Sequence, residues 1–336
     1  MPRYVDGQSD FKRNAELTPP GDTARRLQIL VAAPTYRRNE MLDGLLKSLS
    51  ELALPENADV RFVIIDNDRT GSARPVVEKW QQTFPAPLAY QLEEAPGVTH
   101  VRNRALQLAG DADLLAFIDD DEFAHPAWLA ALVRRYRETG AAGVFGPVQS
   151  VYPHTAPAWM KEWGVHGTPI TEDRDQTKPG ATCNCLIDMA TVRKEAMSFD
   201  PRMSLTGAED TLFFTQLLDR GHRLTQAKDA LVYEHVPEDR ARAAWLLRRW
   251  YRTGLTDAVI AGRNSAPGAA RLKSGINGII RVVVGSVLTA LTAIATLGQN
   301  KRAMMSRAYT VSRGLGMISY ALGKSYEEYG RKKTLA

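Results

Sequence analysis

Short apolar runs alternate with amphipathic segments along the first two thirds of the chain. The runs at 27–33, 60–65 and 114–118 are typical of strands that are buried on both faces. After the first run, Asn39 can cap a helix that continues to about Leu52, with its apolar side chains on one face. Strands that alternate with helices of this length predict βαβ units, right-handed crossovers and a largely parallel sheet.

The pattern changes in the middle of the chain. Residues 150–180 contain several prolines, glycines and tryptophans without a clear period, and we expect a long loop there. Three further elements precede a wholly helical pattern: a strand at 182–188, a helix at 209–218 and a short strand at 231–233. The chain therefore divides into three expected regions: a flexible segment at 1–25, an α/β domain at 26–240 and a helical region at 241–336.

The charges are divided unevenly between these regions. Residues 240–336 hold 17 Lys and Arg against 3 Asp and Glu, whereas residues 1–239 hold 26 against 35. The basic end suits an anionic membrane surface, and no binding motif favours a nucleic acid instead. Residues 282–298 carry no charge but are barely long enough to cross a bilayer, so a helix lying in the membrane surface fits better than a span. Packing on the α/β domain, or a homo-oligomer formed through these helices, is the alternative.

Cysteine usage and the first residues indicate a reducing compartment. Cys183 and Cys185 are the only cysteines, and one pair with this spacing does not suit a structural zinc site. The first 25 residues lack the apolar core of a secretory signal. We therefore expect the amino terminus to stay in the cytosol.

Four consecutive acidic residues, Asp119 to Glu122, follow the apolar run at 114–118. Like charges this close repel one another, and a divalent cation would offset both the repulsion and the loss of hydration. The spacing Asp119-x-Asp121 lets one carboxylate meet a hard cation while another accepts a hydrogen bond from a ligand hydroxyl. The alternative is a solvated acidic turn before a helix that starts near Pro126.

Polar residues also follow the two preceding predicted strands, at Thr35 and Asp66. Ligands of open α/β sheets bind at the carboxyl ends of the strands, so this edge suits a nucleotide. No G-x-G-x-x-G follows the run at 27–33, which disfavours a dinucleotide-dependent dehydrogenase.

Five motifs in order carry a resemblance to a known family: A-A-P-T-Y-R-R at 32–38, I-I-D-N-D at 64–68, V-R-N-R-A-L at 101–106, A-F-I-D-D-D-E at 116–122 and G-A-E-D at 207–210. With these motifs, residues 27–240 resemble an inverting glycosyltransferase of family 2 with the GT-A fold. More narrowly, they resemble the bacterial succinoglycan-type exopolysaccharide glucosyltransferases. The expected fold class is therefore α/β, a mostly parallel central sheet flanked by helices, with a C-terminal helical extension that associates with a membrane.

The resemblance implies a role for each matching residue. Eight residues are expected to bind the nucleotide-sugar: Pro34, Thr35, Tyr36, Arg37, Asp66, Arg102, Asp119 and Asp120. A Mg²⁺ or Mn²⁺ ion is expected on Asp121 and Asp119, with His235 completing its shell. Asp210 is the expected general base, and Glu209 supports or replaces it. The segments 159–163 and 180–184 are expected to contact the acceptor, with buried packing of Trp159 and Trp163 as the alternative.

The resemblance also implies a reaction. We expect transfer of one sugar from a nucleotide diphosphate-sugar, with UDP as the nucleotide, to a saccharide or lipid-linked saccharide in cell-surface polysaccharide synthesis. Addition of a single sugar is favoured because Arg248-Arg249-Trp250 lacks the glutamine of the Q-x-x-R-W element of processive members. The expected location is the cytoplasmic face of the bacterial inner membrane. The alternatives are a sugar nucleotidyltransferase and a catalytically silent membrane scaffold of a polysaccharide assembly complex.

Overall fold

A computed structural model describes residues 25–204 and 207–324, so the segment expected to be flexible lies almost wholly outside the described residues. The strands of the described residues are β1 (Leu27–Thr35), β2 (Ala58–Asp66), β3 (Leu88–Leu92), β4 (Leu114–Ile118), β5 (Glu122–Ala124), β6 (Gly143–Phe145), β7 (Val148–Val151), β8 (Asp175–Gln176), β9 (Asn184–Asp188), β10 (Leu224–Gln226) and β11 (Val232–His235). The α-helices are α1 (Asn39–Ser50), α2 (Arg74–Gln81), α3 (Val98–Ala109), α4 (Trp128–Thr139), α5 (Ala158–Trp163), α6 (Met189–Lys194), α7 (Glu209–Asp219), α8 (Ala243–Gly262), α9 (Pro267–Ala295) and α10 (Lys301–Ala321).

The central sheet has the strand order β3-β2-β1-β4-β9-β6-β10-β8. Its first four strands are parallel, as the alternation of apolar runs and helices predicts. β9 runs antiparallel to both β4 and β6, because the chain makes a long excursion before it and re-enters the sheet from the opposite end. A second sheet, in the order β5-β11-β7, stands beside the end of β4.

Both faces of the central sheet are buried. Along β1, Ile29 and Val31 pack in one hydrophobic cluster, whereas Leu30 and Ala32 pack in another on the opposite face. Helices α1 and α4 cover the first cluster, and α3 and α7 cover the second. This burial on two faces explains why the strands read as continuous apolar runs rather than as alternating ones.

Two local predictions from the sequence need correction. Asn39 does not cap α1: the residue at the cap position is Arg38, and the Asn39 amide donates to the Ser72 carbonyl oxygen at 2.9 Å. Residues 150–180 are not one long loop, because they contain α5 and the edge strand β8. Their lengths, six and two residues, are too short to produce a recognisable period in the sequence.

The C-terminal region consists of three helices in close contact, and glycines permit that contact. A Cβ at Gly254 of α8 would lie 2.0 Å from the carbonyl oxygen of Arg313 of α10. Gly316 of α10 approaches Tyr251 equally closely, and Gly278 of α9 faces Gly314 across the next pair of helices. α10 therefore packs between α8 and α9.

α9 is longer than its uncharged segment suggested, because it begins at Pro267. It is the one helix of the described residues that is long and apolar enough to cross a membrane. The outer face of α9 carries a stripe of exposed apolar side chains: Leu272, Ile276, Ile279, Ile280, Val283, Val284, Val287, Leu288, Leu291 and Ile294.

Candidate active site

The carboxyl ends of β1, β2 and β4 lie side by side at one edge of the sheet. Thr35 pairs with Asp66 in the register of β1 and β2, and β4 adjoins β1 on its other side. The Thr35 hydroxyl donates a hydrogen bond of 2.8 Å to Asp120 Oδ2. The structure thus brings the first, second and fourth predicted motifs together, as the strand order of such a sheet requires.

Asp66 organises the loop that follows β2. It is fully buried, its Oδ1 accepts from the Asp68 amide at 2.8 Å, and its Oδ2 accepts from the Ala73 amide and the Tyr90 hydroxyl. Burial, followed by the hydrogen bond to Asp66, raises the pKa of Tyr90 to about 12. Asp66 therefore already has protein partners on both oxygens.

The turn after β1 presents Tyr36 and Arg37 to solvent. Arg37 has a positive φ of 55°, an uncommon conformation for a residue with a side chain. Its guanidinium binds Asp68 at 2.9 Å and lies 5.3 Å from the centroid of the Tyr36 ring. The hydrogen bond from Arg37 lowers the pKa of the Asp68 carboxyl. The turn is thus held by the loop after β2.

The acids after β4 are covered by two arginines. Nη1 of Arg38 donates to Asp120 Oδ1 at 2.8 Å and to Asp121 Oδ2 at 3.0 Å. Arg240, which follows β11, lies 3.8 Å from the same oxygen of Asp121 and 3.7 Å from Glu234. The acidic group therefore gains a fifth carboxylate from β11, and its charge is partly balanced inside the protein.

Burial makes this group of acids costly in the ionised form. Loss of hydration raises the pKa of Asp119 to about 7, and the nearby charges of Asp121, Asp120 and Glu234 add to the rise while Arg102 opposes it. Burial also raises the pKa of the Glu122 carboxyl, whose Oε2 accepts from the Asp119 amide at 3.0 Å. A cation placed here would lower both costs.

Arg102 and Glu209 form a buried ion pair between α3 and the first turn of α7. Their exposed fractions are only 6% and 3%. Arg102 Nε and Glu209 Oε2 have no hydrogen-bond partner in the described part of the chain. Glu209 is thus held beneath the surface, whereas its neighbour Asp210 is partly exposed.

Asp210 is on the same side of the molecule as the acids after β4. Burial is the largest cause that raises the pKa of the Cys183 thiol. The negative charges of Glu122, Asp119 and Asp210 raise it as well. Asp210 Oδ1 accepts from the Thr211 amide in the first turn of α7. The Asp119 group and the candidate base therefore both lie near Cys183.

A cavity of about 590 Å³ opens beside this point. Cys183 and Thr211 line it, and residues 174–181, which include β8, line much of its wall. Gly180 and Asn184, from the segment that is expected to contact the acceptor, line it as well. Its size suits a ligand of a few hundred cubic ångströms.

Two groups of predicted residues lie elsewhere. The ring of His235 is exposed and packs edge-on against Phe123 at 4.9 Å between centroids. Side chains alternate along a strand, so Glu234, not His235, faces the acids. Trp159 and Trp163 pack against α8 and α10, with Trp163 6.0 Å from Trp250, and so join the C-terminal helices to the α/β domain.

Sequence reasoning missed four residues of the site: Arg38, Glu234, Arg240 and His166. His166 is buried, and its ring stacks on Trp245 at 5.2 Å between centroids. Nε2 of His166 lies 3.1 Å from the Arg240 carbonyl oxygen, and Nδ1 lies 3.0 Å from the Tyr152 hydroxyl. Two signals were present in the sequence: Arg38 ends the motif at 32–38, and Glu234 lies beside the predicted ligand His235.

The acidic residues after β4 can be compared with the ligands that the expected cation prefers. No three Asp, Glu, His or Cys side chains form a metal-binding group within the described ranges. Mg²⁺ is nevertheless commonly held by one or two carboxylates and completes its shell with substrate phosphates and water. The hard oxygen donors of Asp119 and Asp121, in a site that needs positive charge, therefore fit a cation that is shared with a diphosphate.

Comparison with known proteins decides the family. Residues 30–198 match the family model described as glycosyl transferase family 2. The succinoglycan biosynthesis protein ExoM of Rhizobium meliloti (strain 1021) is 34% identical over 309 residues, which cover 91% of this chain and 97% of ExoM. The chain belongs to glycosyl transferase family 2.

Solved structures confirm the predicted GT-A fold of this family 2 glycosyltransferase. The mannosyltransferase PcManGT from Pyrobaculum calidifontis, in complex with GDP-Man and Mn²⁺, has a TM-score of 0.57 at 17% identity, covering 89% of this chain and 91% of that one. S. aureus TarS 1–349 in complex with UDP has a TM-score of 0.50 at 17% identity, covering 90% and 93%. The predicted transferase activity is confirmed by the family, which leaves the nucleotidyltransferase alternative without support.

Proposed function

We propose that this glycosyltransferase transfers one sugar, with inversion and with a divalent cation, from a UDP-sugar to a saccharide or lipid-linked saccharide in exopolysaccharide synthesis. The observation that carries the proposal is that Asp119, after β4, and Asp210, in α7, both lie near Cys183, which lines a cavity. The pathway follows from ExoM, which is named for succinoglycan biosynthesis.

The donor would lie along the carboxyl ends of β1, β2 and β4. The turn from Pro34 to Arg37 would enclose the base and ribose, and Asp66 would support the base through the loop that it organises. Asp120, which Thr35 and Arg38 hold, would orient the ribose or a sugar hydroxyl. Two neighbours of the same fold bind nucleotides, UDP and GDP-Man respectively.

Asp119 and Asp121 would hold Mg²⁺ or Mn²⁺, without His235. The cation supplies Lewis-acid stabilisation of the diphosphate as it leaves. Arg102 would act on the phosphates only through this group, because its guanidinium is buried against Glu209 and lowers the pKa of Asp119. The residues of the chain thus place negative charge where the cation and diphosphate are expected.

Asp210 would take the proton from the attacking hydroxyl of the acceptor. The acceptor would enter through the cavity lined by Thr211, so that its hydroxyl meets Asp210 and the anomeric carbon on the face opposite the diphosphate. Glu209 is buried and paired, so its part is to hold the start of α7 and not to exchange a proton with the acceptor.

The catalytic assignment is tested with Asp210→Asn. This change should leave Mn²⁺-dependent binding of UDP intact and lower transfer by about 10³-fold, because only the base is lost. A panel of UDP- and GDP-sugars with mass detection of the released nucleotide identifies the donor first, and calorimetry then measures UDP binding. Asp219→Asn, at the far end of α7, is the matched control. Full transfer by Asp210→Asn would remove Asp210 from the reaction.

The C-terminal helices would attach the enzyme to the cytoplasmic face of the inner membrane. α9 presents its exposed apolar stripe outward, while α10 packs on α8 along the body of the protein. This arrangement supports shallow insertion of the face of α9 better than a span, because α10 cannot follow α9 across a bilayer without leaving α8. Arg271, Lys273 and Arg281 of α9 suit anionic headgroups.

A further inference from the structure

One arginine binds an oxygen atom of Asp121, a carboxylate that the expected cation needs. Nη1 of Arg38 bridges Asp120 Oδ1 at 2.8 Å and Asp121 Oδ2 at 3.0 Å. The other oxygen of Asp120 accepts from Thr35, so Asp120 is held on both sides. Asp121 has only its Oδ2 shared between Arg38 and the more distant Arg240.

The backbone delivers Arg38 to this position. The left-handed φ of Arg37 turns the chain sharply after β1, and Arg38 takes the cap position of α1, where its carbonyl oxygen accepts from the Leu42 amide. Its backbone is therefore fixed by the helix. Its side chain stays 39% exposed, whereas those of Asp120 and Asp121 are 6% and 15% exposed. The guanidinium covers the acids from the solvent side.

We propose that Arg38 is the counter-ion of the free enzyme, and that it releases Asp121 to the divalent cation only when a nucleoside diphosphate arrives. This inference rests on the proposed function. A cation alone would have to displace one guanidinium and approach a second, Arg240, at short range. A diphosphate removes that obstacle, because its oxygens offer Arg38 a new charge-assisted partner.

Arg38 is thus a positioning residue that pairs first with Asp121 and then with the diphosphate of the bound nucleotide. It prevents the carboxylates from repelling one another before the donor binds, and it makes cation binding depend on the nucleotide. The coupling is reciprocal, so the nucleotide should also bind weakly without the cation.

The experiment measures Mn²⁺ affinity of the purified full chain by electron paramagnetic resonance, without nucleotide, with UDP and with GDP. The unchanged protein should bind Mn²⁺ weakly alone and about tenfold or more tightly with the accepted nucleotide. Arg38→Met should bind Mn²⁺ alone about tenfold more tightly, and its gain from the nucleotide should shrink accordingly. Arg26→Met is the matched control: it removes the same charge from an exposed pair with Asp59, at the opposite end of the strands.

Each outcome decides a separate question. If Mn²⁺ binds with UDP or GDP but Arg38→Met leaves the affinity for Mn²⁺ alone unchanged or weaker, the inference fails while the proposed function stands. If no condition yields Mn²⁺ binding, the metal-dependent function fails and this inference with it. Arg38→Lys keeps a charge but loses the planar fork, so its affinity for Mn²⁺ alone should lie between those of the unchanged protein and Arg38→Met. This variant replaces Arg38→Met in the test if Arg38→Met does not fold.

Discussion

At the residue scale, the main feature of the site is its buried charged side chains. Arg102 favours the ionised form of Asp119 and is paired with Glu209 below the surface. A buried pair adds little compared with two apolar residues, but removal of one partner leaves an uncompensated charge. The pair therefore couples the stability of α3 and α7 to the ionisation of the acids after β4.

We expect Arg102→Met to lower the free energy of unfolding by about 3 kcal/mol, because Glu209 would stay buried without its partner. The double change Arg102→Met and Glu209→Gln should recover most of that loss. Urea unfolding followed by circular dichroism measures both. Arg104→Met, on the same helix but with Gln107 as its side-chain partner, is the control. Equal losses from the single and the double change would contradict an ion-pair role.

At the element scale, the buried His166 holds the segment between β11 and α8. Neutral His166 must donate from Nε2 to the Arg240 carbonyl oxygen, so its Nδ1 accepts from the Tyr152 hydroxyl. The pKa of His166 is lowered to about 4, and burial is the largest cause. The nearby charges of Arg249 and Arg240 also lower it, whereas the hydrogen bond to the backbone of Arg240 opposes the shift. This connection fixes the segment that carries Arg240 towards Asp121.

The stability of the protein should therefore depend on pH through His166. Because its pKa is lower in the folded than in the unfolded chain, the unfolded chain binds more protons between pH 4 and 6.5. Stability from His166 is complete above pH 6.5 and falls by about 2–3 kcal/mol as the pH decreases to 4. Between pH 6.5 and 4 the stability of His166→Gln should change by about 2–3 kcal/mol more favourably than that of the unchanged protein, as measured by melting temperatures over this range. Buried acids such as Asp119, whose pKa is raised, act in the opposite direction in both proteins. The exposed His154→Gln should match the unchanged protein.

The same elements show what a sequence can predict. β1, β2 and β4 are buried on both faces, so their apolar runs predicted them, and their carboxyl ends indicated the site. Neighbouring side chains of a strand point to opposite sides, so the bounds of β11 determine the side on which His235 lies. The predicted strand ended at Tyr233, and the sequence therefore did not place His235 on either side. The partners of Arg38 and Arg240 could not be found this way, although Arg38 lies in the motif at 32–38, because these partners are distant in the chain and no local pattern records a long-range ion pair.

At the scale of the whole molecule, the C-terminal helices form a layer joined to the catalytic domain. Trp250 and Tyr309 pack at 5.3 Å between centroids beneath α5, and Arg313 of α10 pairs with Asp257 of α8. The outermost helix, α9, then has one face against α10 and one face exposed. Nothing in the described chain covers that exposed face.

Polar substitution of this face should release the protein from membranes without unfolding it. We expect the triple change Ile279→Gln, Val283→Gln and Val287→Gln to lower binding to vesicles of mixed anionic and neutral phospholipid by at least about tenfold, since each side chain is more than half exposed and would bury apolar area only in lipid. Sedimentation with the vesicles measures binding. The control is Met41→Gln, Leu54→Gln and Val151→Gln, three exposed apolar residues of the catalytic domain. Resistance of the unchanged protein to alkaline extraction would indicate a span instead.

The glycine contacts between α8 and α10 have a geometric consequence. Backbone lies on backbone at Gly254 and Gly316, so these helices cannot slide past one another without separating. α8 also carries Trp245, which His166 and Arg240 hold at the rim of the acid group. With α9 embedded, the catalytic opening would stand at one constant height over the lipid headgroups. An acceptor on a lipid carrier would then be selected by its length, because only a chain whose terminal hydroxyl reaches that height could react.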